Sequence, residues 1–103
     1  MADEPLKAIG RALWWNNGQD YVALITCIST FKEKGFKIIR VIISNCETSV
    51  THSFMVPVTY AANQFTKADA SKALLMAFDM ALKQKKWVAI IPNTEPKIDM
   101  VIV

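Results

Sequence analysis

The chain is short of nearly everything that a small enzyme works with. Its 103 residues include one histidine, His52, two cysteines, Cys27 and Cys46, and three isolated glycines, Gly10, Gly18 and Gly35. His52 sits in an alternating segment where its hydroxyl neighbours, Thr51 and Ser53, point to the opposite side, so no nucleophile–base pair forms. The cysteines lack a C-x-x-C or zinc-type spacing, and Asp69, Asp79 and Asp99 are scattered rather than paired. Lone glycines cannot build a loop that cradles phosphate. The expectation is a protein without catalytic residues, cofactor or metal.

Long apolar runs are missing as well. None reaches the ~18 residues of a membrane helix, and Met1-Ala2-Asp3-Glu4-Pro5 is acidic rather than signal-like. The expectation is a cytosol-like compartment, of the protein's own cell or of a host cell, with no membrane contact and with both thiols free, a Cys27–Cys46 bridge being the alternative if the strand register brings them together.

Charge is sparse. Charged residues make up 20% of the chain and apolar ones 52%, with a mean hydropathy of +0.23. Typical domains hold about 25% charged residues, and a domain of this size leaves much of its surface exposed. Surplus apolar content therefore points to a homo-oligomer, most simply a closed two-fold dimer. The net charge of +3 and pI near 9.0 permit a nucleic-acid partner without requiring one.

What the chain does have is a pair of long β-branched runs, Tyr21 to Ile28 and Ile38 to Ile43, separated by Lys32-Glu33-Lys34-Gly35. They read as a hairpin whose two faces are both apolar and both need cover. A third run, Val50 to Thr59, alternates: Val50, His52, Phe54, Val56 and Val58 share one side. Pro57 cannot donate to a ladder, so this strand either lies at an edge or ends there.

Before the hairpin, Asp3, Glu4 and Pro5 suit a helix start, and Leu6, Ile9 and Leu13 fall on one helical stripe. Asn16-Asn17-Gly18 suits a helix stop, giving a helix over about Glu4 to Asn16. After the third strand, Thr66 and Asp69 form a capping-box pattern opening the longest helix. Its inward stripe is Ala70, Ala73, Leu74, Ala77, Ala81 and Leu82, widened by Phe78 and Met80. Trp87 to Ile91 and Lys97 to Val103 read as two closing strands. The fold class predicted is α+β: a single domain over residues 1–103, order α-β-β-β-α-β-β, with one long and one shorter helix packed on an antiparallel sheet.

Two surfaces carry the functional expectation. Lys32, Lys34, Lys37 and Arg40 crowd the hairpin turn, Lys83, Lys85 and Lys86 close the long helix, and Trp14-Trp15 ends the first. Cations neutralise phosphates and aromatic rings stack bases, a mixture that suits single-stranded DNA or RNA. Plainer readings exist for each: lysines at a helix end favour the dipole, lysines at a turn keep it soluble, and one of the two tryptophans packs inside. The second surface is apolar: Leu75, Met76 and the end Met100, Val101, Ile102 and Val103 ask for cover from a second subunit. The expected function is a small non-enzymatic oligomeric binding protein, most simply for nucleic acid. The alternatives are a protein-interaction module (adaptor, chaperone or inhibitor) and an assembly subunit.

Overall fold

The computed structural model describes residues 8–16, 18–59, 65–85, 92 and 96–102. These residues form one five-stranded antiparallel sheet with one helix. The strands are β1 (Ala8–Asn16), β2 (Gln19–Phe31), β3 (Phe36–Asn45), β4 (Thr51–Thr59) and β5 (Lys97–Ile102), and the helix α1 (Lys67–Gln84) precedes β5. In space the strands run β4-β3-β2-β1-β5. The first four make a meander, and the chain then crosses through α1 to add β5 beside β1.

This order corrects the expected fold. The order α-β-β-β-α-β-β required two helices, but the segment expected to form the first is a strand from Ala8 onward. Along it Gly10, Ala12, Trp14 and Asn16 are buried while Arg11, Leu13 and Trp15 are exposed, a period of two rather than 3.6. Leu13, which completed the expected helical stripe, is 57% exposed. Asn16 pairs with Gln19, so β1 runs into a tight hairpin with β2 where a helix cap was expected. Gly18 has φ +80, where a side chain would be strained. The expected strand Trp87 to Ile91 lies outside the described residues.

The other elements follow the sequence closely. β2 and β3 pair around a 3-10 turn, Lys32–Lys34, closed by Gly35 at φ +76. β4 is an edge strand, which tolerates Pro57. At the start of α1 the Thr66 hydroxyl accepts from the Asp69 N–H at 3.2 Å, and the Asp69 carboxylate accepts from the Thr66 N–H at 3.1 Å. This reciprocal cap satisfies donors that a helix start otherwise leaves orphaned. Lys85, in the left-handed region, ends the helix.

One face of the sheet lies under α1. The buried cluster joins Ala70, Ala73, Leu74, Ala77, Phe78 and Ala81 of the helix to Ala12, Trp14, Tyr21, Ala23, Ile25, Ile39, Val41, Ile43, Phe54, Val56, Val58 and Ile98 of the strands. Leu82, expected on the inward stripe, is exposed, and Phe78 instead meets Trp14 edge-on at 5.3 Å. Small side chains let the two layers approach closely: a Cβ built on Gly10 would lie 2.8 Å from that of Ala70. Among the described residues no helix is long and apolar enough to cross a membrane.

Candidate functional site

Strand alternation sends every second residue away from α1, and the register aligns these outward residues into rows. One row reads Ser53, Ile42, Leu24, Arg11, Asp99; the next on one side reads Met55, Arg40, Thr26, Ile9, Val101, and on the other Thr51, Ser44, Val22, Leu13, Lys97. Beyond the last row Trp15 stands opposite Asp20. At the far end Phe31 and Phe36, a directly opposed pair, stack with centroids 5.0 Å apart. Between Cys27 and Ser29 the register shifts by one residue at a β-bulge in β2, so that beyond it Phe31 rather than its even-numbered neighbour faces away from α1.

This helix-free face is apolar at its centre and ionic at intervals. Of the ten large apolar residues that are exposed among the described ones, six lie on it: Leu13, Trp15, Leu24, Phe31, Met55 and Val101. Ile9, Val22, Ile38 and Ile42 add half-buried side chains between them. Three cations, Arg11, Arg40 and Lys97, and two carboxylates, Asp20 and Asp99, share the same surface. Where the face meets the β1–β2 hairpin, Leu13, Trp14, Trp15, Asp20, Tyr21 and Cys46 line a hollow of about 430 Å³. It holds one carboxylate, Asp20, and one thiol, Cys46, with no histidine or lysine among its lining residues.

The structure disperses the residues singled out for nucleic acid. Trp14 is only 7% exposed, stacked on Tyr21 and held edge-on by Phe78. Lys37 is fully buried, and its ammonium donates to the Asp69 carboxylate at 2.6 Å. Its inward parity on β3, shared with Ile39, Val41 and Ile43, places it under the first turn of α1. Lys83 is exposed and reaches Asp79 at 3.1 Å one helical turn away. Lys85 is exposed at the helix end, Lys34 in the 3-10 turn, and Arg40 on the helix-free face beside Thr26. Lys86 and the side chain of Lys32 lie outside the described residues. Among the described ones, Trp15 and Arg40 lie on the helix-free face, whereas Lys83 and Lys85 lie at the end of α1.

The apolar set divides in the same way. Leu75 is exposed on α1, whereas Met76 and Met100 pack against the buried cluster. Val101 is exposed on the helix-free face; Val103 and the side chain of Ile102 lie outside the described residues. In sequence β2 is apolar on both sides, but no pattern there joins Leu13, Leu24, Arg11 and Lys97 on a common surface. The period-two reading of β1 was the missing signal.

On the covered face, burial pushes the Asp69 carboxyl up, but hydrogen bonds from Lys37 and Thr66 and the Lys37 charge outweigh it and hold the group below the usual carboxylate range. Burial pushes the Cys27 thiol up, with the Lys37 charge pulling partly back. Both cysteines are free. Among the described residues no three of His, Cys, Asp and Glu gather to hold a metal ion. No protein-family model matches the chain, and no curated protein or solved structure matches it.

Proposed function

We propose that this is a non-enzymatic binding protein that works through a polypeptide contact on the helix-free face of its sheet. The observation that carries the reading is the concentration of exposed Leu13, Trp15, Leu24, Phe31, Met55 and Val101 on one continuous surface. Contiguous apolar patches on small proteins mark contact sites, and a core of aliphatic and aromatic side chains with ionic groups between them resembles protein interfaces. The helix holds the sheet from behind, so the surface is presented on a rigid scaffold.

The same residues support a nucleic-acid reading less well. Trp14 and Lys37 are committed to the core, and Asp20 and Asp99 would face the phosphates that Arg11, Arg40 and Lys97 attract.

The test is site-specific photo-crosslinking inside cells that make the full chain, with the reactive group at Leu24 or, as a control, at Lys72 on the exposed side of α1. The Leu24 probe is expected to give adducts that protease removes and nuclease does not, and the Lys72 probe far fewer. Nuclease-sensitive adducts, or none at Leu24, would overturn the reading.

A further inference from the structure

We infer that the partner on the helix-free face is a second copy of this chain, packed sheet on sheet about a two-fold axis. This deepens the proposed function and rests on its claim that the face takes a polypeptide.

Size is the first argument. Four inter-strand gaps of ~4.8 Å and a nine-residue strand rising ~3.3 Å per residue give a sheet face of roughly 19 by 30 Å, on the order of 600 Å² before side-chain relief is counted. A standard stable interface takes about 800 Å² of accessible surface from each partner, a size the face reaches only with its side-chain relief included and with the whole of it used.

Charge is the second. A self-complementary contact places a surface against itself, and a face of one dominant sign would repel its copy. Here three cations and two carboxylates leave the face close to neutral, with both signs available to pair across the seam. A strongly anionic or cationic partner finds no matching field.

Shape is the third. Outward Leu24, Val22, Ile42 and Ile9 project from a pleated surface whose repeat a second such surface shares, and two sheets interdigitate this way about 10 Å apart. The β4 edge offers a poorer route to self-association, because Pro57 interrupts its donors.

Sedimentation equilibrium of the full chain decides it. The parent is expected to approach twice 11.6 kDa at tens of micromolar. Leu24→Arg and Leu13→Arg change side chains that are already exposed, and circular dichroism verifies that each variant is folded. Each would bury an uncompensated charge in the seam and weaken association at least ~30-fold. Leu75→Arg, on the outer side of α1, is expected to leave the dimer intact.

A parent that stays at the mass of one copy at millimolar concentration, or a dimer that both arginine variants leave unchanged, would overturn the inference. In that event Leu24 adducts with other polypeptides would still uphold the proposed function. Their absence would remove it too.

Discussion

Trp14 and Trp15 are neighbours in sequence and opposites in fate. Trp14 points under the helix, where Tyr21 and Phe78 enclose it; Trp15 points away and is 65% exposed. The two faces of the sheet differ in the same sense along their whole length. On the covered side small residues, Gly10, Ala12 and Ala23, alternate with large ones, and the one lysine is tied to the helix cap. On the other side aliphatic, aromatic and ionic residues stand in rows with nothing from the described chain laid across them. Apolarity alone therefore does not distinguish inside from outside here. What distinguishes them is the size pattern that admits a helix.

The sharpest way to break this contrast is to remove what fixes the covered side. Asp69→Ala takes the carboxylate from a lysine that has no exposure, and it dismantles the capping box as well. Breaking a buried pair from one side costs about 3–5 kcal/mol, and losing a cap about 1 kcal/mol more. Denaturant unfolding should show that loss, and Lys37→Met added to Asp69→Ala should return much of it. The pair also sets an acid limit. Because the folded carboxyl is held below its unfolded value of about 3.9, its contribution is present above that pH and disappears as pH falls through the folded value. Asp69→Asn should lose this part of the acid dependence, so a parent and variant with parallel stability profiles below about pH 4 would refute the account.

Next in size is the tryptophan pair itself. Trp14→Ala empties an enclosed aromatic site and is expected to cost about 3–5 kcal/mol. Trp15→Ala should change the folding free energy of the monomer by less than about 0.5 kcal/mol, since among the described residues none encloses that ring. Equal losses would mean that the two faces are not distinct.

How much of this could be read from the residues depends on where contrast survives. α1 was legible to its cap, because Thr66-x-x-Asp69 and the alanine stripe have no competing interpretation. The β2–β3 hairpin and the edge position of β4 were legible from β-branched runs and Pro57. β1 was not. Its inward residues are Gly10, Ala12 and Trp14 and its outward ones Ile9, Leu13 and Trp15, so both sides look apolar and the period of two vanishes. Into that gap Leu6, Ile9 and Leu13 supply a false helical spacing, and Asn17-Gly18, a strong hairpin signal, serves equally well as a helix stop. The division between one buried and one exposed tryptophan survived the error, because adjacent side chains diverge in a strand even more than in a helix. The candidate surface was half visible: β2 announced two apolar faces, but only the register shows which strands share each face. Lys37 could have been placed inside by its parity with Ile39 and Val41, though not joined to Asp69, which lies 32 residues on.

The smallest of the expected effects probes the close approach that separates the two faces. Gly10 lets α1 settle on β1, and a methyl group there would sit 2.8 Å from the Cβ of Ala70, closer than real Cβ atoms tolerate. Both atoms belong to short, stiff side chains, so the helix or the strand has to move rather than a flexible tip. Gly10→Ala is expected to cost about 1–3 kcal/mol by overpacking, reduced by the several tenths of a kcal/mol that alanine gains in the unfolded chain. Ala70→Gly alone costs about 1 kcal/mol of helix propensity, yet in the Gly10→Ala background it opens the space the new methyl needs. The two changes should therefore be non-additive in a double-mutant cycle, the pair being more stable than the singles imply. Strict additivity would show that the helix does not rest on β1 at this point, and the physical basis for calling one face covered would go with it.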